Sequence, residues 1–108
     1  MWRSRKNKFG AKKTIVDGIT FASKKEALRY KELKILLAAN KIANLELQVK
    51  YPIEVKGKKI CTYIADFTYY ESPHLYVIED VKGMRTAIFN LKWKLMQALY
   101  PKHTFRIT

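Results

Sequence analysis

Three runs rich in β-branched, aromatic and aliphatic residues follow one another closely, with a short turn signal between each pair. The runs span Leu45 to Val55, Lys58 to Tyr70 and Leu75 to Lys82, with Gly57 in the first turn and Ser72-Pro73 in the second. Such residues favour strands, and turns this short join antiparallel neighbours. The pattern therefore predicts a three-stranded meander. Pro52 indicates that its first strand lies at a sheet edge or carries a bulge.

Two helices are predicted, one before and one after the meander in the sequence. Ser23 and Glu26 have the spacing of a capping box, and the helix that they begin is expected to reach about Asn40. Its apolar stripe consists of Tyr30, Leu33, Leu36 and Leu37, with Leu28 and Ile35 outside it. A second helix is expected from about Thr86 to Tyr100, closed by Pro101. Its residues at helical spacing are Ile88, Leu91, Leu95 and Leu99.

The two ends of the folded region are expected to add strands. Asp17-Gly18 between two β-branched runs is a strong hairpin signal, and residues 105–107 are typical of a short last strand. We therefore predict an α/β fold with a mixed central β-sheet, two flanking helices and an N-terminal β-hairpin. Residues 14–108 are expected to form a single domain.

The charge of the chain points to a polyanionic partner. Of its 108 residues, 22 are Lys or Arg and 9 are Asp or Glu, which gives a formal net charge of +13. Nucleic acid is the first candidate partner, because contacts between cations and phosphates release counterions. An anionic membrane is a weaker candidate, since no basic amphipathic helix carries most of the charge, and membrane binding is not expected.

Residues 1–13 are predicted to form a flexible basic arm that lies along phosphates, with a solvated terminus as the alternative. Its cations are Arg3, Arg5, Lys6, Lys8, Lys12 and Lys13. Cys61 is the only cysteine, so an internal disulfide is excluded, and no apolar stretch approaches membrane-spanning length. These features favour a cytoplasmic protein.

Two acids and a lysine are predicted to meet on the second and third strands of the meander. Asp80 and Lys82 are two residues apart and should share a face. Asp66 should share a face with Ile64 and Thr68, and pairing across the Ser72-Pro73 turn would bring it close to Asp80. Two carboxylates at the margin of an apolar surface repel each other and lose hydration.

A divalent cation removes both problems. Mg²⁺ prefers oxygen ligands, and carboxylates, waters and substrate phosphate oxygens complete its octahedron. Mn²⁺ is expected to substitute for it. A nearby lysine can orient the attacking water or offset charge on the reacting phosphorus. Asp66, Asp80 and Lys82 thus suffice for metal-assisted hydrolysis of a phosphodiester, and surface salt bridging is the alternative explanation for them.

The same residues carry a resemblance. Asp66, a hairpin and then Asp80-Val81-Lys82 resemble the signature of the PD-(D/E)xK nuclease superfamily, although Ala65 stands where proline is common. The order of helix, three strands, helix and strand is similar to the restriction-endonuclease-like core (α-β-β-β-α-β) of that superfamily. Over nearly its whole length the chain also resembles a family of small bacteriophage proteins of unassigned function. The matching segments are KFGAKKT, DGITF, SKKEALRYKEL, LELQVKY, YIADF and EDVKG.

The resemblance implies a role for individual positions. Asp66 and Asp80 would bind the metal together with the backbone carbonyl of Val81, and Lys82 would be the catalytic lysine. Many members add an acid from the first helix, which here is Glu26, and its role as a helix cap is the alternative. Gln48 matches a polar position near the metal, with an ordinary exposed strand position as the alternative.

Basic residues around the second helix form a candidate phosphate-binding strip, with a solvated helix face as the alternative. They are Lys82, Arg85, Lys92 and Lys94. The function predicted is a Mg²⁺-dependent DNA endonuclease that is specific for structure, with branched DNA as the substrate and a resemblance to Holliday-junction resolvases. Such an enzyme suits a homodimer, for which Trp2, Trp93 and Met96 are candidate contacts. The rivals are a nucleic-acid-binding protein without catalysis, in phage replication or recombination, and a small accessory protein that binds a phage or host replication protein.

Overall fold

In this computed structural model, residues 13–108 are described and form a two-stranded hairpin, a four-stranded sheet and two helices. The hairpin consists of β1 (Thr14–Val16) and β2 (Ile19–Phe21). The sheet consists of β3 (Ala43–Val55), β4 (Lys58–Ser72), β5 (Leu75–Asp80) and β6 (Thr104–Ile107). The helices are α1 (Lys24–Ala38) and α2 (Ala87–Leu99). No helix within residues 13–108 is long and apolar enough to cross a membrane.

The sheet is mixed, as predicted. Its strand order is β3-β4-β5-β6; the first three strands are antiparallel to their neighbours, and β6 runs parallel to β5. A parallel pair needs a crossover connection, which α2 supplies here. Strand β3 is an edge strand, and its register shifts between Ile53 and Glu54, one residue beyond Pro52. Both properties that Pro52 indicated are therefore confirmed.

The hairpin and the first helix form for the reasons read from the sequence. Asp17 and Gly18 both have positive φ, 54° and 75°, as a type I′ turn requires. The Ser23 hydroxyl accepts a hydrogen bond from the Glu26 backbone N–H at 3.1 Å, which is the N-cap half of the predicted box. The helix ends in a Schellman arrangement, in which Asn40 has φ 59° and the Lys41 N–H donates to the Leu36 carbonyl at 2.8 Å.

The helices cover opposite faces of the sheet. Leu33 of α1 packs with Phe67 and Val77, whereas Met96 of α2 packs with Ala65 and Ile78. Val77 and Ile78 are consecutive, so the two clusters lie on either side of β5. The molecule has three layers, and β4 and β5 are buried at its centre.

The outward and inward faces of α2 differ from expectation. Ile88, Leu91 and Leu99 are exposed, and Leu95 is only half-buried, so their helical spacing marks mainly the outer face of the helix. The inner face is formed by Phe89, Met96 and the half-buried Trp93. Because α2 is apolar nearly all round, its periodicity does not reveal which face meets the sheet.

The orientation of α2 places two of the predicted dimer contacts in the protein core. Met96 is fully buried in the core, so its assignment to a dimer surface is wrong. Trp93 is half-buried between Phe89 and Phe105, with ring centroids 5.3 Å from each, and belongs to the same core. Trp2 lies outside the described residues.

A buried ion pair attaches α1 to the sheet. Glu79 is completely buried, and its carboxylate accepts hydrogen bonds from Arg29 at 2.6 and 3.1 Å, from Thr108 Oγ1 at 2.6 Å and from the Tyr69 hydroxyl. Burial alone would raise the pKa of Glu79, but the hydrogen bonds from Arg29, Thr108 and Tyr69 hold it below the usual range. Glu79, which precedes Asp80 in β5, is thus the acid of an ion pair with Arg29.

Substitution Arg29→Met is expected to destabilise the fold by about 3–5 kcal/mol, because it leaves the Glu79 carboxylate buried without its cation. The measurement is urea denaturation at neutral pH. The matched control, Glu32→Gln, removes only the exposed partner of Arg29 and is expected to cost under about 1 kcal/mol. Equal losses in the two variants would show that the buried pair does not hold α1 to the sheet.

Candidate functional site

The acids predicted from the sequence meet where β4 and β5 leave the protein core. Phe67 pairs with Glu79 in the antiparallel ladder, and the next step of that register sets Asp66 against Asp80. The Asp66 carboxylate accepts a hydrogen bond from the backbone N–H of Val81 at 2.9 Å, which fixes it beside the end of β5. The predicted approach of Asp66 to Asp80 is confirmed.

The alternation of β4 breaks at Asp66. Ala65 belongs to the α2-side cluster and Phe67 to the α1-side cluster, although residues two apart share a face in a regular strand. Ile64 and Thr68 therefore lie on opposite faces, so the prediction that Asp66 shares one face with both is wrong. Thr68 is buried and Ile64 is 45% exposed, in agreement with this reversal.

Strand β3 has an irregularity at the matching position. Leu47 pairs with Phe67 and Val49 with Ala65, which sets Gln48 opposite Asp66. Gln48 has φ 54°, a left-handed conformation that is uncommon for a residue other than glycine and marks local strain. Because both strands depart from regular geometry at the same rung, the side chains of Gln48 and Asp66 turn toward the same place.

Glu26 joins this group from α1. Gln48 Nε2 lies 3.3 Å from Glu26 Oε2 and 3.4 Å from Asp66 Oδ1, so one amide bridges the two acids. Glu26 is buried, which raises its pKa to about 7; the negative charge of Asp66 adds to the rise, and Lys82 and the Ala22 backbone oppose it. Besides its backbone role at the helix start, Glu26 thus contributes a carboxyl group to the site.

Asp80 is the most deeply buried acid of the group. Its side chain is 1% exposed, and its Oδ2 accepts a hydrogen bond from the Tyr63 hydroxyl. Among residues 13–108 no donor forms a hydrogen bond with its Oδ1, which is buried; the Lys82 ammonium approaches to 3.4 Å as an ion pair. Burial raises the pKa of Asp80 above its usual range, the neighbouring carboxyl group of Asp66 acts in the same direction, and Tyr63 and Lys82 oppose them.

Lys82 lies just beyond β5, because the strand ends at Asp80 and not at Lys82 as predicted. Its ammonium is held between Asp80 Oδ1 and the ring of Phe89, 4.6 Å from the ring centroid. The Lys82 carbonyl accepts a hydrogen bond from the exposed Lys25 at 3.3 Å. The Lys82 side chain remains 30% exposed, so a molecule in solution can reach it.

A cavity of about 430 Å³ opens between the hairpin and β3 and gives access to this group. Its wall includes Phe21, Leu47, Glu26, Gln48 and Asp66. The hairpin thus places an apolar wall beside the acids. We call the group formed by Glu26, Gln48, Asp66, Asp80, Val81 and Lys82 the carboxylate cluster.

Two contributors to the site were not predicted from the sequence. Tyr63 fixes Asp80 Oδ2, and Lys25 lies over the Lys82 carbonyl. Tyr63 precedes Asp66 by three residues in β4, and only the break at Asp66 turns it toward Asp80. No sequence signal separates Lys25 from the other lysines of the chain.

The predicted phosphate-binding residues are only partly gathered around the carboxylate cluster. Lys13 and Arg85 are exposed, whereas the Lys92 ammonium donates a hydrogen bond to the Thr62 carbonyl at 3.0 Å. The other predicted residues of the arm lie outside the described part of the chain; they are Arg3, Arg5, Lys6, Lys8 and Lys12.

Substitution Asp80→Asn is expected to stabilise the protein without divalent cations by on the order of 0.5–2 kcal/mol, the usual range when a strained functional site is relieved. An amide keeps the Tyr63 hydrogen bond and removes a buried negative charge beside Asp66. The measurement is urea denaturation at pH 8 with EDTA, with Glu32→Gln as control. A loss of stability would mean that the ionised Asp80 is a favourable structural group.

Comparison with known proteins places the chain in a family without giving it an activity. No curated protein and no solved structure matches the sequence. One family model, described as a protein of unknown function (DUF1064), matches residues 6–107, nearly the whole chain. The protein therefore belongs to the DUF1064 family.

Proposed function

We propose that this protein is a Mg²⁺-dependent endonuclease that hydrolyses phosphodiester bonds in DNA, with the carboxylate cluster as its active site. The observation that carries the proposal is the buried Asp80, whose Oδ1 lacks a hydrogen-bond donor among the described residues while Asp66 lies beside it. A buried carboxylate with a second carboxylate beside it is costly to maintain in a fold unless a cation or a reaction requires it.

The order of the elements supports the same proposal. From α1 to β6 the chain runs α-β-β-β-α-β, the order of the restriction-endonuclease-like core. Asp66 lies in the second strand of the meander, and Asp80 lies at the end of the third, where the PD-(D/E)xK pattern has its acids. The membership of this fold in that superfamily is part of the proposal.

The donor set fits a magnesium ion. Within residues 13–108 no three acidic, histidine or cysteine side chains form a ready-made metal cage. Mg²⁺ needs none, because it commonly binds through one or two carboxylates and completes its shell with waters and substrate phosphates. Asp66 and Asp80 would hold it, with the Val81 carbonyl as the further ligand that the resemblance implies. When bound, Mg²⁺ would activate water and stabilise charge on the reacting phosphate.

The remaining residues of the cluster orient these groups and neutralise charge. Tyr63 fixes one oxygen of Asp80, and the Val81 N–H fixes one oxygen of Asp66. The other oxygens have only long contacts, of 3.4 Å, with the Lys82 ammonium and the Gln48 amide, so each has a lone pair for a ligand. Lys82 carries an accessible positive charge 3.4 Å from Asp80 and can orient the attacking water or stabilise the phosphate in the transition state. Glu26, which Gln48 bridges to Asp66, supplies a third carboxyl group.

DNA is the proposed substrate because of the charge of +13 and the accessible basic residues near the site. Lys25 and Lys82 lie together at the carboxylate cluster, and the predicted arm would add further cations. Branched DNA and a homodimer that cuts two strands symmetrically remain part of the proposal.

The test is cleavage of labelled four-way junction, flap, duplex and single-stranded DNA with Mg²⁺, Mn²⁺ or EDTA. We expect metal-dependent cutting that falls at least about 10²-fold in Asp66→Asn, Asp80→Asn and Lys82→Ala, since each removes a group that acts in the transition state. Glu32→Gln, an exposed acid on the same helix as Glu26, should cut like the wild type.

Tight, salt-dependent DNA binding without cutting of any substrate would favour the non-catalytic nucleic-acid-binding protein. Cutting that persists in Asp80→Asn would point to a contaminating nuclease. Either result would overturn the assignment of the carboxylate cluster as an active site.

A further inference from the structure

A second cavity, of about 440 Å³, lies on the α2 side of the sheet and is lined mainly by aromatic rings. Its volume falls within the range of roughly 300–1,000 Å³ that is typical of small-molecule binding sites. The residues around it are Asn44, Glu46, Tyr51, Tyr70, Tyr76 and His103. We call it the tyrosine pocket.

The rings of the tyrosine pocket hold one another in place. The ring centroid of Tyr76 lies 4.9 Å from the ring centroid of Tyr70 and 4.8 Å from the ring centroid of His103. The hydroxyl oxygens of Tyr76 and Tyr51 are 2.6 Å apart. His103 in turn stacks on Tyr100, with centroids 5.6 Å apart. All these rings are half-buried, so each is both packed and partly open. A rigid aromatic wall can accept a flat ligand without ordering its own side chains.

The polar groups at the pocket distinguish it from the rest of this basic protein. None of the described residues that line it is a lysine or an arginine. Besides the tyrosine hydroxyls and the His103 imidazole, it has two exposed polar side chains from β3, Asn44 and Glu46, which offer a carboxamide and a carboxylate. A carboxylate accepts hydrogen bonds from an exocyclic amino group such as that of cytosine, and aromatic rings stack on bases of any kind.

The pocket is within reach of DNA bound at the carboxylate cluster because both lie along the edge strand β3. Asn44 and Glu46 line the pocket, and Leu47 and Gln48 line the cavity at the cluster. Tyr76 precedes Asp80 by four residues in β5, and Tyr70 follows Asp66 by four residues in β4. At about 3.3 Å per residue the separation along the strands is about 13 Å. One strand of B-form DNA advances about 3.4 Å per nucleotide, so this distance corresponds to about four nucleotides.

We propose that the tyrosine pocket binds an unpaired base of the DNA substrate, about four nucleotides from the scissile phosphate, and favours a base with an exocyclic amino group. The inference rests on the proposed function, because it takes DNA as the ligand. It gives the nuclease a physical means to select branched or interrupted DNA over plain duplex, whose bases are stacked and cannot enter the pocket.

The test measures binding by fluorescence anisotropy in EDTA, so that no strand is cut. Labelled duplexes that differ only at one central extra nucleotide are compared: none, an unpaired cytosine, an unpaired thymine and an abasic residue. We expect cytosine to bind at least about fivefold more tightly than the abasic duplex, the lower end of base stacking on aromatic side chains. Thymine should bind less tightly than cytosine, and Glu46→Gln should reduce that difference.

Three protein variants separate stacking from a general effect on the fold. Tyr70→Ala should lose the preference for cytosine over the abasic residue, whereas Tyr70→Phe should keep it, because the ring and not the hydroxyl stacks on the base. Ile60→Ala removes an exposed side chain of β4 outside the pocket and should bind like the wild type.

Equal binding of the cytosine and abasic duplexes by the wild type would overturn the proposal, whatever the cleavage assay shows. Displacement of the cytosine duplex by tetramethylammonium, beyond that by sodium at the same ionic strength, would identify a cation site and also overturn it. If the protein prefers the cytosine duplex but cuts no DNA, the proposed base binding in the tyrosine pocket stands and only the proposed nuclease activity is refuted.

Discussion

The ion pair between Arg29 and Glu79 is the interaction on which the arrangement of the site depends. Arg29 lies one helical turn after Glu26, so the contact that holds α1 against β5 also holds Glu26 over the carboxylate cluster. Glu79 and Asp80 are buried neighbours at the end of the same strand, yet their pKa values move in opposite directions. Hydrogen bonds from Arg29 and two hydroxyl groups lower the pKa of Glu79. Burial and the neighbouring Asp66 raise the pKa of Asp80, although Tyr63 and Lys82 oppose the rise. Glu79 therefore stabilises the fold, whereas Asp80 remains able to bind a ligand.

Local irregularity in the sheet completes the site. A regular β3–β4 ladder would place Gln48 and Asp66 in strict alternation with their neighbours. The left-handed φ of Gln48 and the change of face between Ala65 and Phe67 instead turn both side chains toward Glu26 and Asp80. Strained backbone of this kind persists only where the surrounding structure holds it, and it is concentrated at functional sites. The burial of Phe67, Ala65 and their partners supplies that support.

The parts of the fold that follow from local physics were predictable, and the parts that depend on three-dimensional context were not. The Asp17-Gly18 turn, the Ser23 cap, the Pro52 edge and the meander each have a sequence signal tied to backbone geometry, and all are confirmed. The approach of Asp66 to Asp80 followed from strand pairing across one turn. The orientation of α2 did not follow, because Ile88 and Leu91 are as apolar as Phe89 and Met96. Nor did the break at Asp66, since alternation assumes a regular strand.

The central claim is that Asp66 and Asp80 together bind a divalent cation. Titration of the protein with Mn²⁺, followed by electron paramagnetic resonance of the free ion, tests it without DNA or catalysis. The account predicts that the wild type removes Mn²⁺ from solution, that Asp66→Asn and Asp80→Asn weaken this binding by at least about tenfold, and that Glu32→Gln binds like the wild type. Equal Mn²⁺ binding by all four proteins, or none by the wild type, would contradict it.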